Sequence, residues 1–213
     1  MEELDLLKKD WKRNENSFTQ VSENEIYKMI HRNSSSVVKW IMIIGILEFL
    51  FLTGLGFYFA DDSYTKSLEK FHIDTLMTIL TFVNYAVCIG FIFHFYKNFK
   101  NISTTDSSRM LMKNILKARK TVKYYVAYNL SMACIIFIII LISSCIYDET
   151  TINTISKINS QENAILTWAG FIGGILFVLA LLLGLFWLFY KLIYGFLLRK
   201  LYRNYQELKK IDL

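Results

Sequence analysis

The chain has 213 residues, 54 % of them hydrophobic, and no proline. Ordinary globular chains hold about 45–50 % apolar residues. Here the excess is gathered into blocks, which excludes a soluble domain with a periodically spread core. The formal charge of +6 would suit nucleic acid or an anionic surface, but its distribution has a different cause, and no nucleic-acid footprint is read from it.

Residues 1–36 form a polar N-terminal segment that reads as two short helices. Leu4, Leu7 and Trp11 recur at helical spacing with charges between them. Ser22 and Glu25 then match a capping box ahead of Ile26, Met29 and Ile30. The pattern predicts an amphipathic helix over Glu23 to Arg32 that leads into the first apolar block.

A membrane helix needs about 20 mostly apolar residues to cross roughly 30 Å of hydrocarbon. Four blocks meet that length, at 37–60, 73–96, 124–147 and 165–190, and the last stays apolar to Leu198. Residues 37–198 are therefore expected to form a four-helix transmembrane domain, followed by a tail at 199–213. The long polar stretch before the first block is unlike a cleaved signal peptide and predicts an uncleaved anchor.

Orientation follows from the cationic residues. Of the 24 lysines and arginines, all but Lys66, Lys70 and Lys157 fall in the N-terminal segment, the loop between the second and third spans, or the tail, with the helix ends beside them. The other two loops carry Asp61, Asp62, Glu69, Asp148, Glu149 and Glu162 instead. The fold expected is an all-α membrane protein, a four-transmembrane-helix bundle with both termini cytoplasmic. Tyr58, Tyr96, Tyr124, Tyr147, Trp168 and Tyr190 lie near span ends, where an amphipathic ring suits the interface.

The cationic middle loop also reads as helical. Thr105 or Asp106 is a candidate cap, and Met110, Leu111, Ile115, Leu116 and Ala118 form an apolar stripe. The tail mixes Leu201, Tyr205 and Leu208 with basic residues. Two readings stand for these cytoplasmic amphipathic pieces. They can lie on anionic membrane lipid. They can also form a platform for a cytoplasmic protein, with Leu4, Leu7, Trp11, Ile26, Met29 and Ile30 as contact residues.

Glu48 falls in the middle of the first span and Asn84 in the middle of the second. A carboxylate at that depth costs several kcal/mol. A hydrogen bond between these two side chains is one expectation, worth roughly 0.6–2 kcal/mol in a membrane. A proton or ion relay at Glu48 is the other. In the fourth span Gly170, Gly173, Gly174, Ala180 and Gly184 form a small-residue stripe that predicts close helix packing or dimerisation.

Other chemistry is sparse. Cys88, Cys134 and Cys145 sit in apolar blocks without the spacing of a redox or zinc pair. His31, His72 and His94 are scattered. No phosphate loop or nucleophile motif is present, so no catalytic residue, metal or cofactor is expected.

The run Leu4-Asp5-Leu6-Leu7-Lys8-Lys9-Asp10-Trp11, then Glu25-Ile26-Tyr27-Lys28-Met29-Ile30, then Ser34-Ser35-Ser36-Val37-Val38-Lys39-Trp40-Ile41 resembles a family of small bacterial inner-membrane proteins. Members are often encoded beside an alternative sigma factor, which implies a membrane-bound anti-sigma role. Some carry a carotene oxygenase label, which implies four iron-binding histidines; this chain has three, and that activity is not expected. Three functions follow as expectations: a non-enzymatic inner-membrane regulator or scaffold holding a cytoplasmic protein such as a sigma factor; an accessory or assembly subunit that binds other membrane subunits or a second copy; and a small pore or ion-coupled carrier using Glu48.

Overall fold

The computed structural model describes residues 22–161 and 163–211. The described residues form six helices: α1 (Glu23–Phe59), α2 (Asp62–Lys70), α3 (Asp74–Ser103), α4 (Ser108–Tyr147), α5 (Glu149–Asn159) and α6 (Ala164–Ile211). Four of them, α1, α3, α4 and α6, are long and apolar enough to cross a membrane. Leu4, Leu7 and Trp11 lie outside the described residues.

The capping box at the start of α1 is formed. Ser22 Oγ accepts from the Glu25 amide at 3.3 Å, and the Glu25 carboxylate accepts from the Ser22 amide at 3.0 Å. Two of the amides left open at a helix start are thereby satisfied. No break separates this amphipathic turn from the first apolar block, because nothing between Glu23 and Phe59 interrupts the helix. The middle loop and the tail behave likewise: α4 and α6 carry straight on from apolar block into cationic extension.

The two acidic loops are also folded. Asp61 caps α2 by accepting from the Tyr64 amide at 2.8 Å, and Asp148 caps α5 through the Thr151 amide at 3.2 Å. His72 turns the chain from α2 into α3 with a φ of 53°, a left-handed conformation that His enters more readily than most side chains. Its ring stands edge-on to Tyr147 at 4.9 Å.

The four long helices stand at the corners of a square in which α1 and α4 each pack against α3 and α6. Hydrogen bonds fix the antiparallel register of α1 and α6. Ser34 meets Asn204 and Glu48 meets Tyr190, so the two helices run fourteen residues in opposite directions between the same two levels. That distance is about 21 Å of helix axis.

The core is concentrated at the cationic end. Val37, Ile41, Ile102, Ile115, Val122 and Leu201 are nearly or wholly inaccessible. Polar clasps join the same levels. Tyr27 Oη donates to the Thr105 carbonyl at 3.2 Å, and burial, then the nearby Asp106, pushes its phenol above the ordinary range. His31 Nε2 contacts the Ile102 carbonyl at 2.7 Å. Asn98 Nδ2 donates to Thr121 Oγ1 at 3.0 Å. By contrast, the most apolar stretch of α6 buries none of its residues within the bundle.

Candidate functional site

Glu48 lies nine residues beyond Lys39 on α1, about 13 Å along the axis. Both of its carboxyl oxygens are taken by α6. Tyr190 Oη donates to Oε1 at 2.6 Å and Tyr194 Oη donates to Oε2 at 2.9 Å. The two tyrosines are four residues apart, so they share one face of α6, and their rings stack at 6.1 Å. Tyr125 of α4 stands edge-on to both, at 6.3 and 6.1 Å. Glu48 is 8 % exposed. A carboxyl group is tolerable in such a medium when its oxygens find hydrogen-bond donors.

A glycine makes the approach possible. Gly45 sits one turn before Glu48, and a Cβ there would stand 3.1 Å from the Phe95 ring. The absent side chain lets α1 close on α3 while Glu48 turns toward α6. This orientation corrects the expected Glu48–Asn84 pair. Asn84 Oδ1 instead accepts from Tyr128 Oη at 3.1 Å and from Cys88 Sγ at 3.8 Å.

Two spaces flank the acid cluster. Between α1, α3 and α4 lies a cavity of about 210 Å³ with a mostly apolar lining, Phe49, Met77 and Ile136 among it, into which Thr53, Asn84 and Asn129 bring polar groups. That is room for a few waters at ~30 Å³ each. Between α1 and α6 a cleft of about 490 Å³, lined by Glu48, Phe51, Phe186 and Tyr190, opens sideways and is almost wholly apolar. A buried carboxyl held by two phenols at the edge of an apolar cleft has the chemistry to take up a proton or a small cation, or to lock two helices together. Among the described residues no three His, Cys, Asp or Glu side chains gather as a metal site requires.

The other expected site residues divide. Ile30 is buried and Ile26 packs against the core, so both are used inside the bundle, whereas Met29 is 63 % exposed. The reason is that the cationic extensions of α1, α3, α4 and α6 pack on each other, which turns the Ile26–Ile30 face inward. Gly170, Gly173, Gly174 and Gly184 have nothing within 4 Å of where a Cβ would be, and Ala180 is exposed. The small-residue stripe therefore does not pack helices within this chain. It lies open on the lateral surface of α6.

Two groups escape a reading from span positions alone. Tyr190 resembles an interfacial aromatic, and Tyr194 lies beyond the expected end of the fourth span. The signal for their depth is the apolar run that continues to Leu198. The second group is a buried polar contact at the cationic end. Asn204, wholly inaccessible, donates through Nδ2 to Ser34 Oγ at 2.9 Å and accepts at Oδ1 from Asn33 Nδ2 at 3.1 Å. Asn204 stands in a tail whose charges suggest a solvated helix.

No curated protein and no solved structure matches the chain. Residues 24–213 match a family described as a domain of unknown function, DUF8845, and the chain belongs to that family.

Proposed function

We propose that this protein is a non-enzymatic membrane regulator or scaffold of the bacterial inner membrane, with both termini cytoplasmic, that holds a cytoplasmic partner protein. The observation that carries the reading is the head at the cationic end, where all four long helices join one packed core. A rigid head of this kind is a ready docking platform. Its surface retains apolar side chains outside the packed core, with Met29, Met110 and Tyr202 exposed by 63, 51 and 42 %. The segment carrying Leu4, Leu7 and Trp11 precedes α1 and is tethered to this head. The resemblance to proteins encoded beside sigma factors makes such a factor the first partner to test.

The test is a crosslinking pull-down from native membranes. The full chain should recover a cytoplasmic protein that is lost on deletion of residues 1–21 and reduced by Met29→Ser with Met110→Ser. Recovery of the same protein in equal yield from all three chains removes the reading.

One observation favours a second reading, an accessory subunit or homo-oligomer: the small-residue face of α6 is open. Gly174→Leu would then split the assembly in mild detergent, and a lone protomer in the unsubstituted protein would exclude it. The burial of the Glu48 carboxyl within the bundle supports a third, a small pore or ion-coupled carrier. Liposome flux that is indifferent to Glu48→Gln would dispose of it.

A further inference from the structure

The outer faces of α4 and α6 enclose a groove backed by Tyr190 and Tyr194 of the acid cluster and by Val122 of the packed core. At its cationic end is a cleft of about 350 Å³ lined by Lys123, Val126, Trp187, Lys191 and Gly195 among others. A second cleft of about 590 Å³ continues it, lined by Ser131, Cys134, Leu183 and Gly184. The two share Leu130 and Trp187, so they form one channel along the bundle surface. From Lys123 to Cys134 the groove follows eleven residues of α4, roughly 17 Å. That matches one leaflet of a hydrocarbon core about 30 Å thick.

The charge is confined to one end. Neither Lys123 nor Lys191 has a carboxylate partner among the described residues. The Lys191 ammonium instead sits over the Trp187 ring at 4.3 Å, which places it at the groove. Lys191 directly follows Tyr190, whose hydroxyl reaches Glu48, so it stands further along the bundle from the head than Lys39 does. A cation so far inside a membrane calls for a counter-charge. The floor is shaped for a slender apolar chain: nothing lies within 4 Å of a Cβ at Gly184, and Gly195 meets only the Lys191 stem at 3.7 Å.

We propose that this groove binds one anionic phospholipid, with its phosphate against Lys123 and Lys191 and an acyl chain laid over Leu130 and Gly184. The same face could be offered to a second copy of the chain. A two-fold axis along the membrane normal would then bring four lysines together at one level, with no acid of the groove to offset them. The charge pattern therefore favours lipid over self-association.

The experiment measures lipids retained by the full chain in mild detergent, by native mass spectrometry, together with the thermal midpoint on adding each probe. Phosphatidylglycerol should bind as one equivalent and raise the midpoint. Phosphatidylcholine and inorganic phosphate should do neither, which separates a lipid from a free anion. Lys123→Gln with Lys191→Gln should weaken phosphatidylglycerol binding roughly thirtyfold, at about fivefold per lysine near an anionic surface. Lys123→Arg with Lys191→Arg keeps the charge and should retain it. Lys113→Gln with Lys117→Gln removes equal charge outside the groove and should also retain it. Ala127→Trp, which fills the groove without touching charge, should lower binding as well. Equal retention of phosphatidylcholine, the same shift with phosphate alone, or unchanged binding in the glutamine pair at 123 and 191 would each overturn the proposal, as would a dimer that forms only in lipid-free detergent and is abolished by Ala127→Trp.

Discussion

The cationic and acidic halves of the bundle are built from the same four helices and follow different rules. Between Ile30 and Glu48 on α1, and from Tyr190 to Leu208 on α6, buried residues recur at helical spacing, and the polar ones among them are bonded to each other. Toward the acidic end the helices remain apolar yet leave most of their side chains outside the bundle, and the glycines of α6 face open space. Helices pack by different rules in water and in lipid. Where water surrounds the helices, burying a leucine or isoleucine contributes roughly 1.5–3 kcal/mol, and the helices close together. Where lipid surrounds them, no such force acts between apolar faces, and packing is left to glycines and hydrogen bonds. The Glu48 cluster sits where dense packing gives way to open faces.

The sharpest test of that contrast is truncation in both halves. Leu201→Ala or Ile115→Ala empties a fully buried site and should cost about 2–5 kcal/mol. Leu176→Ala removes a side chain that is 58 % exposed and should fall within about 0.5 kcal/mol of zero. Reversible unfolding of the full chain in one detergent measures both. Equal losses at the two ends would break the comparison.

Asn204 tests whether the cationic half depends on its polar contacts as much as on its apolar ones. Asn204→Leu keeps the size but strands Ser34 and Asn33, each of which loses a partner. An unsatisfied buried group costs about 1–3 kcal/mol. Ser34→Ala made in the same chain should recover part of the loss, because it removes one stranded hydroxyl. Additive losses would show that the contact carries no coupling.

At the boundary, Glu48→Leu removes the acceptor for both tyrosine hydroxyls, and hydrogen bonds in this setting are worth roughly 0.6–2 kcal/mol. Glu48→Gln keeps one acceptor oxygen and should lose less than half as much. Ultraviolet resonance of the tyrosine rings reports the change directly. If the leucine variant leaves both the spectrum and the stability unaltered, the cluster is not what joins α1 to α6.

The four apolar helices and the capping box at Ser22 are legible in the sequence because each rests on a local signal: a long hydrophobic window, or two side chains three residues apart. Glu48 is legible for the same reason, as one acid in an apolar run. Its partners are not, because they depend on the register between α1 and α6, which no local pattern sets. Tyr190 taken alone has the look of an interfacial ring. Ile26 and Ile30 show the same gap. Their helical spacing marks an apolar face but does not say whether that face meets a neighbour helix or a foreign protein. The stripe at Gly170, Gly173, Gly174 and Gly184 marks a face suited to close approach and is silent on what approaches.

The smallest effect belongs to the acidic end, where α2 and α5 touch through one ion pair. Lys70 Nζ lies 3.2 Å from Asp148 Oδ1, at the surface and open to solvent. The hydrogen bond from Lys70, then that from Thr151, holds the Asp148 carboxyl below its ordinary range. A carboxyl with a depressed value in the folded state stabilises fully above its unfolded value and loses that contribution as pH falls through the folded one. The link between α2 and α5 should therefore persist at neutral pH and loosen only in acid, below the usual carboxylate range near pH 4. Asp148 also caps α5 through Thr151, and Asn caps nearly as well as Asp. Asp148→Asn should thus leave α5 in place and remove the pH dependence. Hydrogen exchange at the first turn of α5, corrected for its intrinsic pH dependence, separates the two roles. Protection that falls in acid for the unsubstituted chain but stays level in the variant assigns the change to this pair. An identical fall in both would place the sensitive carboxyl elsewhere, and the acidic end would then be held by some contact other than Lys70 with Asp148.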